Sequence, residues 1–302
     1  MMDRQSATVE VPATTANLGA GYDCLGLALA LHNEVRLALA DADSVEVDGE
    51  GADSLPRDRT HLVLGAAQAA ADAAGRHLPR LTLRQLNRIP LARGLGSSSA
   101  AIVGGVVAAN ELLGLGLTDK RMVEVAARVE GHPDNVAPAL LGGLTVCCTV
   151  GDEVLVRRLD VASGLACVVA IPDFEVATHD ARRVLPQTVP HEDAVFNLSR
   201  ASLTIAALVS GSFELLAEST RDRLHQRYRA PLTPGAEEAM EAALEAGAYG
   251  AALSGSGPTV AAFVGDRREE VGQAMVNGFQ RAGIAAESRV LALSHDGARV
   301  IE

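Results

Sequence analysis

The segment from Pro90 to Ala100 constrains the fold and the chemistry of this chain more than any other. It reads Pro-Leu-Ala-Arg-Gly-Leu-Gly-Ser-Ser-Ser-Ala, and small apolar residues continue from it to Ala109. Gly94 and Gly96 allow a tight turn and a close approach of the backbone to a ligand. The apolar run from Ala100 to Ala109 predicts a buried helix. The N-terminus of such a helix binds anions, because its first N–H groups are free and its dipole is positive there.

A polyphosphate is the natural anion for this loop. The loop is not of the Gly-x-x-x-x-Gly-Lys-Ser/Thr type, because no basic residue lies between Gly94 and Ala109. Backbone amides and hydroxyls would therefore hold the phosphates, while a metal ion would supply positive charge. The alternative interpretation is a Gly/Ser turn that only precedes a core helix.

Composition narrows the class of protein. A chain of 302 residues exceeds what one hydrophobic core usually serves, which favours two domains. The formal net charge of −12 argues against nonspecific binding to nucleic acid or to an anionic membrane. Trp is absent and aromatic residues make up only 3%, so base-stacking surfaces are not expected. We predict neither nucleic acid nor a membrane as a partner.

The cysteines and the first residues indicate a cytoplasmic protein. The segment 1–6 contains no apolar signal region and leads directly into a strand-like run. Neither the adjacent pair nor the wide gaps between the cysteines match the spacing of metal ligands. We interpret all four as small buried hydrophobic residues in a reducing compartment. They are Cys24, Cys147, Cys148 and Cys167.

Short strands alternate with Ala-rich helices along the chain, which predicts a mixed α and β fold. Thr118 is the predicted N-cap of a helix that runs to about Val129 and leaves Glu130 at its C-terminal end. The helix dipole disfavours a carboxylate there, so Glu130 should have a local partner such as a cation. A strand at 165–171 is expected to open a second domain. The other predicted strands are 7–11, 34–40, 44–47, 81–86, 142–150, 250–253 and 259–264, and the other predicted helices are 62–74, 194–209, 213–219, 236–246 and 269–282.

Two further segments accompany the loop, and together the three carry a family resemblance. The first, at 11–23, reads VPATTANLGAGYD, and the second, at 252–259, reads ALSGSGPT. In this order the three segments resemble the motifs of the kinase superfamily that phosphorylates galactose, homoserine, mevalonate and phosphomevalonate. The segment 130–138, EGHPDNVAP, followed by two glycines, resembles the homoserine kinase branch, as do 178–186 and 222–229. The resemblance spans nearly the whole chain.

This resemblance implies a fold, two substrates and a cofactor. The fold would be α+β, with an N-terminal ribosomal-protein-S5-like ATP-binding domain at 1–155. A C-terminal ferredoxin-like domain at 156–302 would contribute to the substrate site. ATP would phosphorylate the side-chain hydroxyl of L-homoserine with the help of Mg²⁺, a step of threonine biosynthesis. A homodimer is expected. The alternatives are a sister kinase that acts on another small alcohol and a nucleotide-binding regulator without turnover.

The resemblance also assigns the ATP and metal residues. Ser98 and Glu130 would be the magnesium ligands, because Mg²⁺ prefers hard oxygen donors and keeps several waters. Ser97 and Ser99 would bond phosphate or cap the helix. The third motif is expected to pack against the first more than to contact ATP. The whole loop would bind the nucleotide, through Pro90, Leu91, Ala92, Arg93, Gly94, Leu95, Gly96, Ser97, Ser98, Ser99 and Ala100.

Three charged residues would hold the amino acid. Arg182 and Arg229 occupy the positions of a carboxylate clamp, since a guanidinium fork can bind both oxygens. The alternative for both is a solvated surface arginine. Asp23 would accept the ammonium group, or else serve as a turn residue. Arg227 stands where the family usually has a proline, which predicts a less stiff loop before Arg229.

The catalytic residues implied by the resemblance are amides rather than acids. Asn17 and Asn135 would orient the hydroxyl or the amino group of the substrate. His132 would contact the substrate or order the His-Pro-Asp-Asn loop. Alignment on the two following glycines puts Asn135, not Asp134, where mevalonate-type kinases carry an aspartate. We therefore expect phosphoryl transfer by positioning and charge neutralisation, without a dedicated general base.

Overall fold

Two β-sheets organise residues 5–302, the part of the chain that the computed structural model describes. The first sheet has seven strands and the second has four. All neighbouring strands pair antiparallel except β3 and β4. The first sheet contains β1 (Ser6–Ala16), β2 (Leu25–Leu39), β3 (Ser44–Gly49), β4 (Leu81–Asn87), β5 (Leu144–Val150), β6 (Glu153–Leu159) and β11 (Arg299–Val300). The second contains β7 (Ala166–Pro172), β8 (Gly250–Leu253), β9 (Val260–Val264) and β10 (Ala286–Ala292).

Helices cover both sheets. Three pack against the first sheet, and they are α2 (Ser97–Leu113), α3 (Asp119–Glu130) and α4 (Pro133–Leu141), while α1 (Leu62–Ala73) packs on α2 and α3. The others belong to the second half of the chain, and they are α5 (Thr178–Arg183), α6 (His191–Ser210), α7 (Leu216–Ser219), α8 (Gln226–Arg229), α9 (Ala236–Glu245) and α10 (Arg268–Arg281). Two short 3₁₀ helices lie at Phe213–Leu215 and Ala230–Leu232.

The predicted α+β fold is confirmed. The second half runs strand, helices, strand, strand, helix, strand, and its sheet has the order β10-β7-β9-β8. This is the ferredoxin-like arrangement that the resemblance implies. The boundary predicted between 155 and 156 falls inside β6, which pairs with β5, and β11 returns to pair with β1 at the far edge. The chain leaves the first sheet between Leu159 and Ala166, and the exact division into domains stays a prediction.

Strand β2 is longer than its sequence predicts. Only its second half, from Glu34, alternates apolar and polar residues, and this half pairs with β4. Its first half, Leu25–Leu31, is almost wholly apolar and pairs with β1 and β5. Residues Leu25–Leu29 are buried on both faces, so the alternation that marks a half-exposed strand is missing there. The expected start at residue 34 was therefore wrong.

Helix α2 lies at the centre of the core, as the apolar run predicts, and begins three residues before the predicted start. Two glycines allow its neighbours to approach. A Cβ at Gly104 would lie 2.6 Å from Val35 Cγ2, and one at Gly105 would lie 2.4 Å from Val63 O. The helix therefore packs directly onto β2 and α1. This close packing fixes the helix N-terminus, where the predicted phosphate loop ends.

The His-Pro-Asp-Asn segment is not a loop as predicted. It opens helix α4 with Pro133 in the first turn, where the missing N–H removes no helical hydrogen bond. The prediction for α3 is confirmed, because the Thr118 hydroxyl accepts a hydrogen bond from Arg121 N at 3.3 Å and the helix ends at Glu130.

The prediction that all four cysteines are buried is wrong for two of them. Cys147 and Cys167 are buried, and burial raises the pKa of each thiol to about 12. Cys24 and Cys148 are exposed. Between residues 5 and 302, no helix is long and apolar enough to cross a membrane. Residues 1–4, part of the segment in which no signal region is predicted, lie outside the described residues.

Candidate active site

One cleft collects most of the residues that the sequence assigns to the site. It lies where the end of β1, the loop before α2, the junction of α3 and α4, and the short helices α5 and α8 converge. The predicted residues that line it are Asn17, Asp23, Ala92, Arg93, Gly94, Gly96, Ser97, Ser98, Ser99, Glu130, His132, Asn135, Arg182 and Arg229. Asp134, Thr178, Gly255 and Ser256 also line it.

The glycines of the loop bend the chain into the start of α2. Gly94 and Gly96 have φ of 76° and 71°, the left-handed region that favours glycine. A Cβ at Gly94 would lie 2.2 Å from Ser254 O, and one at Gly96 would lie 2.0 Å from Thr14 Oγ1. Gly96 is the N-cap of α2 and makes no side-chain capping bond, so the first N–H groups of the helix remain available to a ligand.

We expect the Gly96→Ala substitution to lower kcat/KM for ATP by roughly 10²-fold, the size of effect that misplacement of a site by about 1 Å produces. Its methyl group cannot fit unless Thr14 and the loop move apart. Gly116→Ala is the matched control, because Gly116 also has positive φ (70°) but has open space around it. Steady-state kinetics with varied ATP would measure the effect. Equal losses in both variants would mean that backbone strain, and not the clash in the loop, is responsible.

Some of the eleven predicted loop residues point away from the cleft. Leu95 and Ala100 are fully buried in the main hydrophobic core. Pro90 and Leu91 line a separate depression beside β7 instead. Arg93 donates to the carbonyl of Pro172, so part of its charge is directed across to the second sheet. Contacts of these residues with a nucleotide stay a prediction, one that rests on the backbone more than on the side chains.

Glu130 meets two hydroxyls at the N-terminus of α2. Ser98 Oγ donates to Glu130 Oε2 at 2.7 Å, and Ser99 Oγ donates to Oε1 at 3.0 Å. These hydroxyls are the local partners that its position at a helix C-terminus required. No group of three or more His, Cys, Asp or Glu side chains able to hold a metal occurs in residues 5–302. One carboxylate and one hydroxyl still fit Mg²⁺, since phosphate oxygens and water complete its shell.

Asp23 and Arg182 form an ion pair across the cleft. Arg182 Nη2 lies 2.8 Å from Asp23 Oδ1 and Nη1 lies 3.0 Å from Oδ2, while Nη1 also donates to the Tyr22 hydroxyl. Burial alone would lower the pKa of Arg182, but the hydrogen bond and the charge of Asp23 outweigh it and raise the pKa. Asp23, assigned to the ammonium group of the substrate, and Arg182, assigned to its carboxylate, thus neutralise each other's charge.

Arg229 is almost wholly buried, at 2% exposure, so the interpretation as a surface residue is wrong. It lines the cleft from helix α8, and burial lowers the pKa of its guanidinium. The loop before it is held despite the replacement of proline by Arg227. Arg227 donates to Asp193, and the Asp222 carboxylate accepts backbone N–H bonds from three successive residues, 224–226. The loop is therefore fastened by hydrogen bonds where proline would have stiffened it.

The two asparagines have protein partners on one or both ends of the amide. Asn17, at φ of 70°, donates from Nδ2 to Gly255 O at 2.8 Å and accepts from Asp23 N at 3.0 Å. Asn135 Oδ1 accepts from Thr14 Oγ1 at 2.7 Å. This bond turns the Asn135 Nδ2 donor group toward other partners, which suits it to a substrate oxygen.

His132, which is partly buried, pairs with the buried Asp134. Nδ1 of the imidazole lies 2.6 Å from Asp134 Oδ1, and Nε2 lies 4.0 Å from Glu130 Oε1. Burial alone would lower the pKa of His132, but the hydrogen bond to Asp134 and the charges of both carboxylates outweigh it and raise the pKa. The carboxylate of Asp134 is thus occupied by a neighbour on the same helix turn.

The third motif packs against the first motif and the loop, as the sequence predicts. Ser254 Oγ lies 2.6 Å from Gly94 O and 2.9 Å from Thr15 Oγ1, and Gly255 N donates to Ala16 O at 3.1 Å. Sequence reasoning missed Thr178 as a lining residue, although it opens a segment already noted for its resemblance. It also missed the role of Tyr22, the neighbour of Asp23 in sequence, whose hydroxyl accepts a hydrogen bond from Arg182.

Comparisons with known proteins identify the family to which this chain belongs. The GHMP kinases N terminal domain model matches residues 61–143, and the GHMP kinases C terminal model matches residues 204–281. The chain is 46% identical to a homoserine kinase of Desulfitobacterium hafniense and 47% identical to one of Moorella thermoacetica, in both cases over 97% of this chain and 99% of the relative. The crystal structure of homoserine kinase from Cytophaga hutchinsonii matches at a TM-score of 0.89 and 32% identity, covering 100% of this chain and 99% of that one. The chain therefore belongs to the GHMP kinases, within their homoserine kinase branch.

Proposed function

We propose that this protein transfers the γ-phosphoryl group of ATP to the side-chain hydroxyl of L-homoserine and forms O-phospho-L-homoserine, a step of threonine biosynthesis. The observation that carries the proposal is the composition of the cleft. Groups that complement an amino acid, Asp23, Arg182 and Arg229, line the same cleft as the open N-terminus of α2. The names of the relatives support the same acceptor.

Mg²⁺, when bound, neutralises charge that develops on the phosphate oxygens. Ser98 and Glu130 would hold it, since their oxygens already lie 2.7 Å apart beside the helix N-terminus. The N–H groups of the loop and of the first turn of α2 would hold the phosphates. No lysine or arginine lies between Gly94 and Ala109, and Arg93 donates to Pro172 O, so the metal would supply the positive charge at the helix N-terminus.

The acceptor side of the cleft suits a zwitterion. Arg182 and Arg229 would hold the carboxylate of homoserine, and Asp23 would hold its ammonium group. A phosphorylated isoprenoid carries only negative charge and would require several further cations near the site. Asp23 would instead repel it. The charge pattern therefore favours an amino acid among the small alcohols.

The reaction would proceed without a dedicated general base. Asn135 and Asn17 would aim the hydroxyl, and its proton would leave late, to the phosphoryl group being transferred. Two observations support this: Asp134 is engaged with His132, and the Asn135 amide cannot accept a proton usefully. A loose transition state needs little activation of the nucleophile, so positioning and charge neutralisation suffice.

A coupled assay of ADP release tests the substrate. We expect magnesium-dependent release with L-homoserine, much weaker release with L-threonine or L-serine, and none with mevalonate, galactose or shikimate. Preference for mevalonate or a sugar would favour a sister kinase. Binding of ATP without release of ADP in the presence of any of these acceptors would favour a nucleotide-binding regulator. A homodimer and a cytoplasmic location also stay predictions, and sedimentation of the purified protein would check the first.

A further inference from the structure

A buried polar cluster that has no role in the proposed reaction lies behind Arg229. It consists of Asn197 on α6 with Asp222 and His225 in the loop before α8. The side chains of Asp222 and His225 are fully buried, and Asn197 is 2% exposed. Asn197 Nδ2 donates to Asp222 Oδ1 at 2.7 Å and also lies 3.2 Å from Ala20 O. Asp222 Oδ2 accepts from His225 N at 2.8 Å.

This cluster reaches both halves of the acceptor site. His225 Nε2 lies 2.8 Å from Gly19 O, in the loop that carries Asn17 and Asp23. That loop lies tightly against residue 220, since a Cβ at Gly19 would be 1.9 Å from Thr220 O. On its other side, His225 Nδ1 lies 3.2 Å from Arg229 Nη1. One imidazole thus joins the loop of the first motif to the guanidinium of the cleft.

The hydrogen bonds define the tautomer of His225. The carbonyl of Gly19 can only accept, so Nε2 carries the proton. Nδ1 is then an acceptor and receives the N–H of Arg229 Nη1. Burial lowers the pKa of His225, which keeps the ring neutral and this acceptor available. A protonated ring would bring a second cation against Arg229 and would remove the acceptor.

Three acceptors together fix the direction of Arg229. Nε donates to Ala181 O at 3.1 Å, and Nη1 donates to Gly255 O at 2.9 Å as well as to His225. Within residues 5–302, these bonds use every N–H of Arg229 except those on Nη2. Nη2 is therefore the nitrogen left for a ligand in the cleft.

We propose that His225 is a positioning residue that orients Arg229 toward the carboxylate of the acceptor and ties it to the loop bearing Asp23. This inference rests on the proposed function for the identity of the acceptor. Removal of the Nδ1 acceptor leaves one N–H of Nη1 without a partner and only the bonds to Ala181 O and Gly255 O in place, so the guanidinium is held less firmly in the orientation that presents Nη2 to the ligand. His225 itself does not touch the acceptor.

Two substitutions separate the two bonds of the imidazole. The amide of His225→Asn reaches the place of Nδ1, so it can still accept from Arg229, but it loses the bond to Gly19. The amide of His225→Gln reaches the place of Nε2, so it can still donate to Gly19, but it loses the acceptor for Arg229. We expect His225→Gln to raise KM for homoserine roughly 10- to 100-fold, the usual effect of losing one hydrogen bond to a charged group. His225→Asn should raise it much less, and KM for ATP should change in neither.

Two further variants serve as controls. Asp193→Asn removes the partner of Arg227 on the outer side of the same loop, and we expect a lower Tm with an unchanged KM for homoserine. Arg229→Met removes the group through which His225 acts, so His225→Gln should add no further increase in KM in that background. Equal KM values for His225→Gln and His225→Asn would overturn the inference. A double variant whose KM increase equals the product of the increases in His225→Gln and Arg229→Met would also overturn it.

A measurement without any acceptor keeps the inference separate from the proposed function. We expect ¹⁵N NMR of the wild-type protein to show His225 protonated at Nε2, with an unprotonated Nδ1 whose shift changes in Arg229→Met. A proton on Nδ1, or no change in Arg229→Met, would overturn the inference whatever the acceptor. Failure of wild-type turnover with homoserine would instead overturn the proposed function alone.

Discussion

Replacement of Glu130 by glutamine is expected to lower kcat by roughly 10²- to 10³-fold, the effect of removing one group that stabilises charge in a transition state. Glutamine keeps the shape of the side chain and can still accept from Ser98, but it removes a formal charge from the proposed magnesium site. Affinity for homoserine should survive, because the residues proposed to hold that substrate, Arg182, Arg229 and Asp23, are unchanged. Kinetics over a range of Mg²⁺ concentrations, with calorimetry for homoserine, would measure both quantities.

Two serines make a matched pair of controls for Glu130. Ser98→Ala removes the proposed hydroxyl ligand, and we expect a milder loss because water can replace a hydroxyl on Mg²⁺. Ser99→Ala removes the bond to the other carboxylate oxygen but no proposed metal ligand, so its dependence on Mg²⁺ should stay close to that of the wild type. Near-normal turnover of Glu130→Gln at low Mg²⁺ would exclude Glu130 as a metal ligand.

The second large effect is expected from Asn135. Asn135→Ala should lower kcat and raise KM for homoserine, with a combined loss of roughly 10²-fold, because it removes the amide proposed to aim the hydroxyl. The shape of the pH profile should not change, since the amide does not titrate. Thr14→Val is the companion variant: it leaves Asn135 in the cleft but removes the 2.7 Å bond that orients it, so a smaller effect in the same direction is expected.

Asp134 provides the opposing test. A general base contributes about 10²- to 10⁴-fold, a range that overlaps with loss of a positioning group, so the size of a defect does not decide between them. An essential carboxylate base would give kcat/KM an acidic limb that disappears in Asp134→Asn. We expect that variant to keep the pH profile of the wild type. Its stability should fall, because its bond with His132 is weakened. Loss of both turnover and the limb, with Tm and homoserine affinity unchanged, would contradict the mechanism without a base.

Local signals in the sequence predicted most of the fold. The apolar run after Gly96 and the Thr118 cap mark α2 and α3, because both depend on neighbouring residues only. The first half of β2 was missed because its environment, covered on both faces, comes from strands and helices far away in the chain. Helix α4 was missed because Pro133 suggests a loop until its place in a first turn is known.

The candidate site was likewise predicted where the signal is local in sequence, and missed where it depends on distant residues. The residues of the motifs converge on one cleft, although the roles assigned to them stay predictions. The cluster behind Arg229 could not be predicted, because Gly19, Asn197 and His225 lie far apart in sequence and carry no shared pattern. The bond between Arg227 and Asp193 could not be predicted either, since the two residues lie 34 positions apart.

The ion pair between Asp23 and Arg182 has a consequence for selectivity. The two side chains serve as each other's counter-ion, so an acceptor molecule that binds to either of them must replace this ion pair. A molecule with both an ammonium and a carboxylate group can satisfy each partner as it separates them. A molecule with only one of these charges, such as an amino alcohol or a hydroxy acid, leaves either Arg182 or Asp23 without a counter-charge. If these two residues hold the acceptor as proposed, the cleft would disfavour half-matched acceptors through the charge that they leave without a partner.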